Sequence, residues 1–457
     1  MSPAASPDPS TDTPPGFLTR VDSLAPYVLV GIYCALQLSL AIAHDPWVDE
    51  AQAWLWATTL SRPIDFFILP GEGHPPLWYW LLRALSGVLD FNQARYVVLP
   101  IVFLNAFLLM VLLRGQFLLL AMMLLSFSIL HFWGYHFRPY SIVLLLTLGA
   151  LLLDRHGRPL AATWALAVAC GFHFFAGFLF AFWLVWQLKK GTPLRTLLAP
   201  ALLAAVFGAL AVLSGLGNAG LVPPPGGLLA ATLSNLAWSA MLPEWRHPVV
   251  ALLTLGVLGF GLRKEPLLLA TLLVLLLVFS LATAAVYGRY PWHFAFMTML
   301  CFMAFTLTAP RSAAWVMPLL LVVPMIQGIS SAELRLTTPV WSEPDLYQLI
   351  RTDAGPGFDP ARQLVAWPDI VGLATAAVED ITLIGGNNGA LLGPVDWRQS
   401  AMTRIDPGLL VLPRPYWIIC AQCTFLLERL EAGGLTTSAL GDKFNPDNGQ
   451  IFAYRVD

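Results

Sequence analysis

From Tyr27 to Ala43 the chain carries no charged residue, and ten further apolar segments follow it. They lie at about 94–113, 115–133, 139–153, 160–173, 174–188, 196–216, 247–262, 267–287, 293–309 and 313–330. A helix crosses a bilayer with about 20 apolar residues, so the pattern predicts eleven transmembrane helices, beginning with 25–43. Segment 76–90 (PLWYWLLRALSGVLD) has 15 residues and holds Arg83, so it reads as an interfacial helix with Trp and Tyr at headgroup level. Segments 160–173 and 174–188 must go out and return between two basic loops. They are expected to form a pair of short helices with His173 near their top, an arrangement tolerated where helices line a cavity.

After residue 330 the pattern changes. RQLVAW (362–367), GLLVLP (408–413) and YWIIC (416–420) read as strands, Asp369–Val378 and Thr424–Ala432 as helices. The expected organisation is a disordered tail 1–24, a polytopic all-α membrane domain 25–330 and a small C-terminal α/β domain 331–457. The first 24 residues are rich in Pro, Ser and Asp. That composition cannot bury enough surface to fold, and it lacks the basic leader of a signal peptide. PPPGG at 223–227 marks an irregular loop.

Composition supports the membrane reading. The 457 residues are 57% hydrophobic and 11% charged, with mean hydropathy +0.70, against about 25% charged in a soluble domain. Residues 1–330 carry 16 Lys and Arg against 12 Asp and Glu, and residues 331–457 carry 9 against 15. Neither part has the basic stripe of a nucleic-acid binder. Lys and Arg collect in cytoplasmic loops. With the N-terminus inside, Arg114, Arg155, Arg158, Lys189, Lys190, Arg195, Arg263, Lys264 and Arg311 all fall on the cytoplasmic side. The outer face then receives 44–93, His136–Tyr140, His173, the loop 217–246, Gly288–His293 and the whole C-terminal region.

Ionisable groups near hydrocarbon are costly and mark candidate sites. The outer face gathers Asp45, Asp49, Glu50, Glu72, His74, Arg138, His173, Arg246, Arg289 and His293. A carboxylate at an apolar interface has a raised pKa unless paired and can act as a general base. Arginines bind phosphate through a rigid fork of donors, and aromatics suit a sugar face or an isoprenoid chain. Together these point to a lipid-phosphate-sugar donor. The bland readings differ: Asp45 as a helix N-cap with Pro46 at the first helical position, Asp49 and Glu50 as acidic first-turn residues favoured by the helix dipole, His74 as part of a rigid Pro-flanked turn, Arg138 as a residue reaching the interface from a helix end, His173 as a packed histidine. Trp54, Trp56, Trp78 and Trp80 read as an interfacial belt, and Glu244–His247 as a surface ion-pair cluster.

Trp47–Val48–Asp49–Glu50–Ala51, followed by His74–Pro75–Pro76–Leu77, resembles the first outer loop of GT-C fold glycosyltransferases. The likeness is to the branch containing protein O-mannosyltransferases and the lipid A aminoarabinose transferase. Phe137–Arg138–Pro139–Tyr140 resembles that branch's Arg-Pro-Tyr element. The resemblance covers 25–188; beyond it only the general plan of further spans and an extracytoplasmic domain is shared. It implies inverting transfer of a sugar from a polyprenyl phosphate to a lipid, glycan or protein acceptor. Asp49 is then the catalytic base, Arg138 stabilises the leaving phosphate, Glu50 orients the acceptor or holds the loop, and His74 orders the loop's far end. Tyr140 joins the substrate site as part of the Arg-Pro-Tyr element. Arg289 and His293 are added from the residues themselves. The branch's usual Glu or Gln two residues before the arginine is His136 here, so a divalent metal stays open, and no metal ligand is assigned. The expected location is a bacterial inner membrane, N-terminus cytoplasmic and C-terminal domain extracytoplasmic.

Two other classes compete: a transporter or flippase of a lipid-linked saccharide, and a saccharide polymerase or ligase. A transporter places its polar groups near the midplane on broken helices in repeated halves, whereas these lie at one interface and no repeat is evident. Cys34, Cys170 and Cys301 fall in apolar segments and read as small hydrophobes. Cys420 and Cys423 suit a small disulfide in a non-cytosolic compartment.

Overall fold

The computed structural model describes residues 17–216, 227–239, 248–287, 291–308, 315–337, 343–396, 404–421, 423–445 and 449–457. Most of the N-terminal tail, residues 223–226 of the PPPGG loop, the Glu244–His247 cluster, Arg289 and Arg311 lie outside these residues.

The N-terminal helices are α1 (Phe17–Ala43), α2 (Val48–Thr59), α3 (Leu77–Ser86), α4 (Phe91–Ala94), α5 (Val98–Leu112) and α6 (Phe117–Leu125). They are followed by α7 (Tyr140–Arg155), α8 (Pro159–Phe172), α9 (Ala176–Lys189) and α10 (Leu194–Gly215). Then come α11 (Leu228–Ser239), α12 (Pro248–Leu262), α13 (Pro266–Ala282), α14 (Pro291–Thr308) and α15 (Val316–Thr337). Among the described residues five stretches are long and apolar enough to cross a bilayer: Leu24–Ala43, Phe91–Leu112, Leu194–Gly215, Pro266–Ala285 and Val316–Thr337. They make this a membrane-embedded helical protein.

The expected eleven spans are not matched. Several apolar runs are cut into helices of 14 to 18 residues, such as α7, α8, α9, α12 and α14. At 1.5 Å per residue these reach about 21–27 Å, short of the roughly 30 Å hydrocarbon core. The run 115–133 is also not one helix. α6 stops at Leu125 and a π-helical segment, Ser128–Tyr135, continues at a 59° bend, so the two pieces make at most a sixth, broken span. Ser126 is extended there and its hydroxyl donates to the Met123 carbonyl. α15 closes on this break. A Cβ at Gly328 would sit 2.1 Å from the Leu125 carbonyl oxygen, so only glycine fits. His131, from the π-helical segment, bonds the Gly328 carbonyl at 3.1 Å.

The two ends of α7 differ in chemistry. At its C-terminal end Arg155 donates to the Leu112 carbonyl at the end of α5, Lys190 pairs with Asp154 at 3.0 Å, and Lys189 pairs with Glu265 just before α13. The basic residues thus share one end of the bundle. The acidic and histidine-rich residues gather at the other end, beside Tyr140.

The C-terminal region contains α16 (Glu343–Ala354), α17 (Pro360–Gln363), α18 (Leu373–Glu379) and α19 (Thr424–Ala432) with β1 (Leu364–Trp367), β2 (Ile384–Gly385), β3 (Tyr416–Ala421), β4 (Thr437–Asn445) and β5 (Gly449–Val456). The sheet order is β2-β1-β3-β5-β4. β2, β1 and β3 are parallel, and β5 runs antiparallel to both β3 and β4. The expected strand at 408–413 is instead a 3-10 turn, Pro407–Val411. Proline cannot donate to a ladder, and only Leu409 of that turn is buried. A disulfide joins Cys420 and Cys423.

This region packs on the loop after α1. Leu373 and Ala377 of α18, with Val395, share a buried cluster with Trp54, Trp78, Phe91 and Phe137. Gln52 Nε2 donates to the Val395 carbonyl at 2.6 Å, and Val395 N–H donates to Gln52 Oε1 at 2.9 Å.

Candidate functional site

α2 begins at Val48, with Trp47 rather than Asp45 as its N-cap. The Glu50 side chain sets this start by accepting the Trp47 N–H at 3.1 Å, which satisfies a donor the helix cannot. The same turn places Asp49 and Glu50 about 100° apart around the helix axis, and the two carboxylates enter different surroundings.

Glu50 is wholly buried. It accepts from Phe137 N–H at 2.7 Å and Trp47 N–H at 3.1 Å, with His44 Nε2 at 3.0 Å and His136 Nδ1 at 3.3 Å beside it. Burial opposes its charge, but the His44 charge and the histidine hydrogen bonds outweigh it and hold the carboxyl well below the usual range. His136 is driven the other way. Burial first, then the His44 charge, pushes it down to about 4.

Asp49 keeps 27% of its side chain open. Burial raises its pKa, and the Arg138 charge opposes that rise without cancelling it. Arg138 is itself buried. Its Nη1 donates to the Asp49 carbonyl at 2.7 Å, and its Nη2 lies 3.6 Å from Asp49 Oδ2 and 3.5 Å from His74 Nε2. Trp47 and Tyr140 flank the guanidinium, with ring centres 5.8 and 5.9 Å from Cζ. Its Nε has no hydrogen-bond partner among the described residues.

His74 has a determined tautomer. Its Nδ1 lies 2.7 Å from the Glu72 carbonyl, which can only accept, so Nδ1 carries the proton and Nε2 faces Arg138 as an acceptor. Burial and the Arg138 charge push the imidazole down to about 4, so it is neutral at pH 7. Glu72 is fixed by three donors, Gln52 Nε2, Trp56 Nε1 and Tyr79 Oη, at 2.7 to 2.9 Å. It holds the loop that carries His74.

Asp49, Glu50, His74, Arg138 and Tyr140 therefore converge, although they come from three separate stretches. His293 is farther off. Its ring is 4.9 Å from Phe175, and Phe175 is 5.5 Å from His173, which packs 5.2 Å from His74. Arg289 lies outside the described residues. Sequence reasoning missed His44 and His136 as partners of Glu50, and Gln52 as the link to Glu72. It also left His173 unassigned. His173 Nδ1 accepts from Phe175 N–H at 3.2 Å, so its proton is on Nε2, a buried donor with no partner among the described residues. The one available signal was position: His44 and His136 each sit at the edge of an apolar run.

Chemically, the site offers a part-open carboxylate of raised pKa, a fixed guanidinium with a spare donor, and neutral imidazoles, walled by tryptophan and tyrosine. No family model, no curated protein and no solved structure matches the chain. Fold and site together define a class: a membrane-embedded helical protein with a charged, largely buried site at one end of its bundle.

Proposed function

We propose that the protein is a membrane glycosyltransferase that moves a sugar from a polyprenyl-phosphate donor to an acceptor hydroxyl or amine on the extracytoplasmic face of a bacterial inner membrane. The observation that carries this reading is the pairing of Asp49, part-open and of raised pKa, with buried Arg138 at 3.6 Å. Asp49 takes the proton from the acceptor as its oxygen or nitrogen attacks the anomeric carbon. The bond from that carbon to the phosphate oxygen breaks, and the phosphate leaves with the electron pair. Arg138 stabilises the charge that develops there, exchanging part of its hold on Asp49 for the phosphate. Neutral His74 keeps the guanidinium in place without competing for the anion. One carboxylate suffices for an inverting displacement, so Glu50, saturated with donors, has no proton to move.

The bundle's asymmetry supports the extracytoplasmic side. The basic residues at the far end of α7 read as cytoplasmic, which supports an outer location for the site and the α/β region. The disulfide in that region suits the same compartment.

The test is binding and transfer by purified protein in nanodiscs with a polyprenyl-phosphate sugar. Wild type is expected to bind the lipid, Arg138→Met to lose at least tenfold in affinity, and Asp49→Asn to bind but lose about 10²–10⁴-fold or more in transfer. Folded wild type that ignores the lipid, or Asp49→Asn with full activity, would overturn the reading. Transport of an unmodified lipid-linked saccharide would replace it with the transporter class.

A further inference from the structure

Two backbone donors already fix the Glu50 carboxylate, one on each oxygen: Phe137 N–H on Oε1 and Trp47 N–H on Oε2. What each oxygen has left faces an imidazole. His44 Nε2 lies 3.1 and 3.0 Å from the two oxygens, and His136 Nδ1 lies 3.3 Å from Oε1. The three residues come from three places: just after α1, the first turn of α2, and the turn before α7. One ligating atom from each lies within 4.8 Å of the other two. A tetrahedral ion with bonds of about 2.0–2.1 Å to nitrogen and oxygen sets its ligand atoms about 3.3 Å apart. The spacing around Glu50 is close to that edge length.

We propose that His44, Glu50 and His136 form a binding site for a divalent transition-metal ion of the zinc type. Two imidazoles and one carboxylate favour such an ion over magnesium or calcium, which take oxygen ligands. The surroundings suit it. A ligating carboxylate is itself held by hydrogen bonds, and here both holds are backbone N–H groups that no side-chain change removes. The rings of Tyr135, Trp47 and Phe132 pack on the two histidines and keep bulk water away. Three protein ligands leave a fourth position for water or another donor.

The site's place gives it a role. Glu50 is the neighbour of Asp49, and His136 stands two residues before Arg138. An ion here ties the strand of chain bearing the carboxylate to the strand bearing the guanidinium, so its three ligands act as positioning residues. The metal site does not depend on the transfer reaction, because its occupancy is measured without any substrate.

The experiment is metal analysis by mass spectrometry of the tag-free protein, purified in detergent without chelator and dialysed against limiting Zn²⁺. About one zinc per chain is expected, retained in the control His156→Ala, whose histidine is exposed, and lost in His136→Ala and Glu50→Gln. Gel filtration and thermal melting report whether these variants fold. Should they not, Co²⁺ loading of wild type decides: visible ligand-field bands of a four-coordinate imidazole–carboxylate site, abolished by Zn²⁺, support the proposal. Wild type without stoichiometric zinc, zinc retained by the folded variants, or Co²⁺ without such bands would overturn it.

Discussion

Asp49 and Glu50 are adjacent in sequence and opposite in environment. Asp49 faces an opening and one guanidinium, whereas Glu50 is enclosed by two backbone N–H groups and two imidazoles. Their variants should separate accordingly. Asp49→Asn keeps a neutral isostere at a part-open position and should melt within a few degrees of wild type. Glu50→Gln removes a buried charge from partners built around it and should cost about 3–5 kcal/mol, read as a lower melting temperature in metal-free buffer. The pair was legible in the sequence as a charged interruption of an apolar chain. Which member stays available was not, because that depends on His136 and Phe137, which lie some 86 residues away along the chain.

His74 carries a pH signature. Its folded pKa is about 4 against an ordinary 6.5. Between those values the unfolded chain takes up a proton and the folded one does not, so stability falls as pH drops through that window and is fully present above 6.5. Melting curves between pH 7.5 and 4 should therefore be less steep in His74→Gln than in wild type. Equal slopes would show that the folded imidazole titrates like the unfolded one.

At the scale of elements, the break between α6 and the π-helical segment is where apolar patterning misled most. Residues 115–133 look like one span because neither Ser126 nor His131 interrupts the hydropathy enough to mark a bend. Both are satisfied by backbone groups, Ser126 locally and His131 from α15. Gly328→Ala puts a methyl against the Leu125 carbonyl and the Phe127 amide, both backbone and unable to swing aside. A loss of about 1–3 kcal/mol is expected, measured by thermal unfolding, whereas Gly149→Ala, with open space at its Cβ, should be neutral or better. In the C-terminal region β1, β3 and α19 were readable because apolar runs there have strand or helix length. β4 (TSALGDKFN) was not, since its polar residues are tolerated through pairing with β5 rather than by burial.

For the whole molecule, the two halves are joined through the loop after α1. Gln52 spends both ends of its amide on Val395 and also donates to Glu72, while Asn92 Nδ2 donates to the Val378 carbonyl. The orientation argued from the basic end of α7 makes a topological prediction. A cysteine placed at exposed Val411 should react with an impermeant thiol reagent in intact spheroplasts. Protection until lysis would invert the topology and remove the site from the outer face.

The Gln52–Val395 contact also says something about inheritance. Gln52 reads the main chain at position 395, while the apolar cluster around Trp54 and Trp78 reads that residue's side chain. Drift at this point of the C-terminal region is thus constrained in both letter and path: only apolar residues of similar size keep the cluster at 395, and an insertion or deletion that shifts the backbone there breaks the amide fit. A descendant could exchange this region for a foreign one only if the newcomer presented a carbonyl and an amide at the same place, which makes Gln52 a lock on loop length across generations.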